Sequence, residues 1–138
     1  MQNTMTATWA GGMRFVHRSA SGHAVVTDTP ADQGGLGSAA SPMELVILGL
    51  IGCTGVDVAS ILHKMKQSFE SLEVAATYER AADHPRVYTR IHVTYTLRGD
   101  LDLKKVRRAV ELSEKTYCSV TAMLRGTAEI TSEVRINP

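Results

Sequence analysis

The side chains of this chain best suited to chemistry are its two cysteines, Cys53 and Cys118. A thiolate is a nucleophile and a soft ligand, and two thiols together make a dithiol–disulfide couple. They stand 65 residues apart, so any pairing is tertiary. A bridge closing such a loop stabilises by about 4 kcal/mol in the chain-entropy account. Two buried thiols acting as small hydrophobes are the plain alternative. Cys118 falls at an expected helix start, where backbone N–H groups favour a thiolate, so its pKa is expected to fall. Cys53 falls in the most apolar part of a long helix and needs an Arg, Lys or His from another segment or subunit to ionise. Asp57, one turn on along the same face, opposes ionisation unless it holds that cation. It reads equally well as a hydrogen-bonding or partly solvated helix residue.

Other polar groups offer less. His17, His23, His63, His84 and His92 show no His-x-x-x-His spacing and read as strand or surface histidines. The run Lys104-Lys105-Val106-Arg107-Arg108 reads as a solvated helix face. Fifteen Lys and Arg against fourteen Asp and Glu leave a net charge of +1, too little to steer nucleic acid or an anionic membrane. Aromatics at 5% provide no base-stacking platform. Two cysteines make neither a disulfide framework nor a four-thiolate zinc site. The N-terminus has no basic stretch followed by an apolar one, so no signal peptide is expected. Leu45 to Val56 is apolar but shorter than a membrane span, and Glu44 and Asp57 flank it. A cytoplasmic protein without nucleic-acid or membrane partners is expected.

These residues need elements to position them. A chain of 138 residues, 43% hydrophobic and 21% charged, reads as one globular domain spanning 1–138. Met13 to His17 and His23 to Thr27 read as short strands around a turn at Ser19 to Gly22. Asp32 to Ala40, with three glycines, reads as a mobile loop. Ser41 as N-cap, Pro42 at the first helical position and Glu44 as the capping-box acid then open a helix to about Lys66. Its first half is apolar nearly all round, which predicts a central helix. Gly49, Gly52 and Gly55 lie inside it, each costing roughly 1 kcal/mol of helix propensity. Close approach of another backbone, a partner subunit's among the candidates, would offset that. Leu72 to Tyr78 and Val87 to Leu97 alternate as strands. A second helix is expected over Leu101 to Tyr117, and a short one capped by Ser119 runs to Leu124. A last strand covers Ala128 to Ile136. The fold class is α+β.

Ser41-Pro42-Met43-Glu44-Leu45 through Gly52-Cys53, then Tyr117-Cys118-Ser119-Val120, together with Ala20-Ser21-Gly22-His23, resembles the OsmC/Ohr family of osmotically inducible and organic hydroperoxide resistance proteins. The likeness covers nearly the whole chain and is strongest to the YhfA-like branch. It implies an OsmC-like fold with antiparallel sheets around a long central helix, in an intertwined homodimer. It further implies reduction of a small organic hydroperoxide in stress defence, with Cys53 as peroxidatic and Cys118 as resolving thiol. No bound cofactor is implied, only an external dithiol reductant of lipoyl type. The family's activating pair is an Arg from the N-terminal region and a Glu at the start of the central helix. The candidates here are Arg14, Arg18 and Glu44, although ten residues before Cys53 stands Met43. A dimer of the same fold that binds a small apolar ligand or senses redox state without catalysis is the alternative.

Overall fold

Alternation and capping organise the chain as the sequence predicts, with informative exceptions. The computed structural model describes residues 3–138. Its strands are β1 (Thr6–Trp9), β2 (Phe15–Arg18), β3 (Ala24–Thr27), β4 (Ser71–Arg80), β5 (Tyr88–Arg98) and β6 (Glu129–Ile136). Its α-helices are α1 (Pro42–Lys64), α2 (Leu103–Leu112) and α3 (Ser119–Leu124). The chain forms two compact units, and the boundary between Ile47 and Leu48 falls inside α1.

In the N-terminal unit, β1, β2 and β3 make an antiparallel sheet in that order. The Ser19–Gly22 turn closes with the N–H of Ser19 on the carbonyl of His23 and that of Gly22 on Ser19. The segment expected to be mobile is instead tied down. Asp28, 1% exposed, accepts the N–H groups of Thr29, Leu36 and Ser38 and the hydroxyl of Ser38. These bonds hold its carboxyl down at about 2. A side chain at Gly35 would place its Cβ 1.9 Å from the Thr29 carbonyl oxygen, so only glycine fits the closed loop. The helix signal is met in full. Ser41 Oγ accepts the N–H of Glu44 at 3.1 Å, and Glu44 Oε1 accepts that of Ser41 at 2.9 Å.

In the C-terminal unit, β4 pairs antiparallel with β5, as expected, but β6 joins β5 in parallel. A parallel neighbour requires a crossover, and α2 and α3 lie on it. Leu50, Thr54, Val58 and Leu62 form the buried stripe of α1, four residues apart. Ile91, Val93, Tyr95 and Leu97 form the inward face of β5, and Val106, Ala109 and Val110 that of α2. Lys104, Lys105, Arg107 and Arg108 are exposed, as expected.

Two further expectations need correction. The second helix does not stay α-helical to Tyr117: α2 ends at Leu112, and Ser113–Tyr117 widens into a π-helical turn. The cap of α3 is Cys118, not Ser119. For the α1 glycines, expected to admit another backbone, no close backbone lies among the described residues of this chain. Among the described residues, a Cβ at Gly49 or Gly52 would meet nothing within 4 Å, and one at Gly55 would meet only Val74 Cγ2, at 3.4 Å. The same side of α1 leaves Leu48 53% and Val56 70% exposed.

Candidate active site

Cys53 and Asp57 lie one turn apart on α1 and share a face. Cys118 arrives from the opposite direction, between the π-helical turn and α3. The turn aims it. Its backbone N–H bonds to the carbonyl of Ser113, five residues back, at 2.8 Å. Its sulfur accepts the N–H of Thr121 at 3.3 Å, replacing the hydroxyl of an ordinary N-cap. The result brings the two sulfurs and an Asp57 carboxylate oxygen within 4.8 Å of one another. Cys53 and Asp57 are half-buried and Cys118 is buried, and neither cysteine is in a disulfide.

The electrostatics of Cys118 run against the sequence expectation. Burial pushes its thiol above the ordinary value, and its hydrogen bond to Cys53 pushes further. Thr121 pulls back only in part. The expected fall rested on helix-start N–H groups. One such bond in a six-residue helix is outweighed by desolvation at 3% exposure. Cys118 thus holds its proton more tightly than an ordinary thiol.

Two polar pairs brace this cluster. Ser113, fully buried, donates its hydroxyl to Asp57 Oδ2 at 2.9 Å. Among the described residues, Asp57 makes no ion pair with Lys or Arg. Tyr95, also fully buried, donates to Glu114 Oε1 at 3.1 Å. Burial raises the Tyr95 phenol far above its usual range, a hydrogen bond with Thr54 opposes, and Glu114 raises it again. Ser132 donates to the other oxygen of Glu114 at 3.2 Å, and Arg125 donates to its carbonyl.

The proposed activating residues are placed as follows. Glu44 is exposed and engaged in the capping box. Arg14 is half-buried, and its Nε has no hydrogen-bond partner among the described residues. Arg18 is exposed and lines an open cleft of about 390 Å³ with Met5, His17, Val25 and Leu45.

Comparison with known proteins decides the family. The model of the OsmC-like protein family matches residues 35–133. The chain belongs to the OsmC-like family. The protein YhfA of Escherichia coli K12 is 40% identical over 129 residues, 93% of either chain. A hypothetical protein from Aquifex aeolicus is 27% identical with a TM-score of 0.82, over 100% of this chain and 99% of that one. The OsmC organic hydroperoxide resistance protein of Legionella pneumophila shares the fold at 18% identity, with a TM-score of 0.73 and 96% of both chains covered.

Within this OsmC-like chain, α1 is long and apolar enough to cross a membrane by length and composition, beyond the shorter stretch read from sequence. One such helix is weak grounds for a span, and the family match runs through it. The residues overlooked in the sequence are Ser113, Tyr95 and Glu114. Ser113 did carry a signal: it is the one polar residue on the stripe Val106, Ala109, Val110, and a serine there needs a buried partner. Tyr95 and Glu114 carried none.

Proposed function

We propose that this OsmC-like chain is a thiol-dependent reductase of organic hydroperoxides, acting in the cytoplasm as a homodimer. The observation that carries the reading is the approach of the Cys53 and Cys118 sulfurs across 65 residues of sequence. Relatives of the same fold bear the name organic hydroperoxide resistance protein, among them those of Legionella pneumophila and Elizabethkingia anophelis.

The Cys53 thiolate attacks the outer peroxide oxygen. The O–O bond breaks, Cys53 becomes a sulfenic acid, and the alkoxide takes the proton of Cys118 to leave as alcohol. The Cys118 thiolate so formed attacks the Cys53 sulfur and expels hydroxide, leaving a disulfide. An external dithiol, of lipoyl type in this reading, reduces it by thiol exchange. No resident cofactor takes part. Glu44, Arg14 and Arg18 remain the candidates for activating Cys53.

The dimer reading rests on α1. Leu48, Gly52 and Val56 are four residues apart and exposed, and among the described residues a side chain at Gly52 would meet no neighbour within 4 Å. A second copy of the helix covering this stripe accounts for its apolar character and its small residues together.

The test is thiol counting by mass spectrometry after a stoichiometric pulse of cumene hydroperoxide. Wild type should lose two thiols at once, and Cys118→Ser should trap sulfenic acid on Cys53. Thiols that stay reduced in the native protein would overturn the reading and leave a binding protein of the same fold.

A further inference from the structure

Asp57 is a half-buried carboxylate beside two thiols, with no Lys or Arg paired to it among the described residues. We propose that Cys53, Asp57 and Cys118 form a binding site for a soft divalent cation, with Zn²⁺ as the ion of matching chemistry. The inference stands on the juxtaposition of the three side chains, whether or not the chain reduces peroxides.

The donor set selects the metal. Two thiolates and one carboxylate suit zinc and disfavour magnesium or calcium, which take oxygen ligands. The distances suit it as well. Tetrahedral zinc, with bonds of about 2.3 Å to sulfur and about 2.0 Å to oxygen, sets its ligand atoms about 3.5–3.8 Å apart. The three atoms already lie within 4.8 Å of one another, so small side-chain rotations complete the contact. The three come from two directions, two from one face of α1 and one from the end of the π-helical turn. A cation would be held at the junction of these segments, and not on a surface run of like residues.

A second layer of contact supports the first. Ser113 holds Asp57 Oδ2, and Oδ1 has no hydrogen bond among the described residues. Oriented carboxylates of this kind are a regular feature of metal centres. The step balances simply. Zn²⁺ displaces one proton from each thiol and takes the carboxylate as it stands, leaving a site of net charge −1 and two free protons. Water fills the fourth position. Oxidation of the pair to a disulfide removes both sulfur ligands and expels the ion, so metal occupancy and the reduced state are linked.

The test uses the full chain, reduced and stripped with a chelator, and needs no peroxide. Titration with Co²⁺ should give one equivalent bound, with a near-ultraviolet thiolate-to-cobalt charge-transfer band that Zn²⁺ displaces. Zn²⁺ should slow iodoacetamide alkylation of both thiols more than tenfold, and EDTA should restore it. Cys53→Ser and Cys118→Ser should each weaken the band, and Asp57→Asn should weaken binding. Ser113→Ala, which leaves every ligand in place, should weaken binding about tenfold. The alkylation measurement on wild type carries the test even where a variant folds poorly. Absence of the band, or alkylation rates unmoved by Zn²⁺, would overturn the site. Affinity unchanged in Asp57→Asn would overturn the three-ligand assignment.

Discussion

Ser113 Oγ lies 2.9 Å from Asp57 Oδ2, and the same serine's carbonyl takes the N–H of Cys118. One fully buried residue thus ties α1 to the segment bearing the second thiol. Ser113→Ala should destabilise the chain by about 1–2 kcal/mol, because a hydrogen bond to a charged group is lost. Urea unfolding followed by circular dichroism measures it. A shift under about 0.5 kcal/mol would mean that water replaces the bond.

The capping box separates two roles for Glu44. Ser41→Ala should cost about 1 kcal/mol, and Ser41→Gly only a few tenths. Glu44→Gln keeps an acceptor for the Ser41 N–H and should leave stability nearly unchanged. If Glu44 also activates Cys53, the same variant loses peroxide turnover while its unfolding midpoint stays put. Turnover at the wild-type rate would confine Glu44 to the helix cap.

The Asp28 loop should respond to acid. Its folded carboxyl titrates at about 2 against 3.8 in the unfolded chain. A depressed folded value means the unfolded chain takes up the proton first, so the loop's contribution is complete above about pH 4. It fades as pH falls through 2. Asp28→Asn should lower the melting temperature at pH 7 and remove this part of the acid dependence. A melting curve with an unchanged pH profile would locate the acid response elsewhere.

Gly52→Ala distinguishes a lone chain from a paired one. Among the described residues the added methyl meets nothing within 4 Å, so the substitution should gain about 1 kcal/mol of helix propensity. If a second α1 packs on this stripe, the methyl instead holds the helices apart. Dimer dissociation should then become detectable by light scattering at lower dilution factors than for wild type. Val56→Asp should abolish the dimer outright.

Much of the architecture was legible because local chemistry and tertiary structure agree in it. Ser41, Pro42 and Glu44 set the start of α1 from sequence alone, and the expected alternation holds from Leu72 to Ala76 and from Ile91 to Leu97, whereas Tyr78 is exposed, Tyr88 is buried in place of Val87 and Thr89, and Ser132 of β6 is exposed. What was not legible depended on long-range closure. The loop after Asp28 looked mobile because its glycines and serines promise freedom, while the carboxylate that orders it reaches up to ten residues along the chain. The π-helical turn leaves no mark in the apolar period, so α2 appeared to continue to Tyr117. The rise in the Cys118 pKa was hidden for a related reason. A local helix start was visible, whereas its burial beside Cys53 was not. The parallel pairing of β6 departs from the antiparallel sheets that the resemblance implied, and its sequence could not show it, since parallel and antiparallel strands share the same period of two.

The parallel pairing of β6 has a kinetic side. The connection from Arg98 to Glu129 leaves one end of the sheet and returns at the opposite end, beside Arg90, and Cys118 rides on it. A crossover of this length forms after local hairpins, because its closure entropy precedes the contacts that repay it. The β4–β5 hairpin and α1 are local; the meeting of Cys53 with Cys118 is not. The meeting of the thiols is therefore expected to follow the local elements in folding, which pulse labelling of the two cysteines during refolding would time.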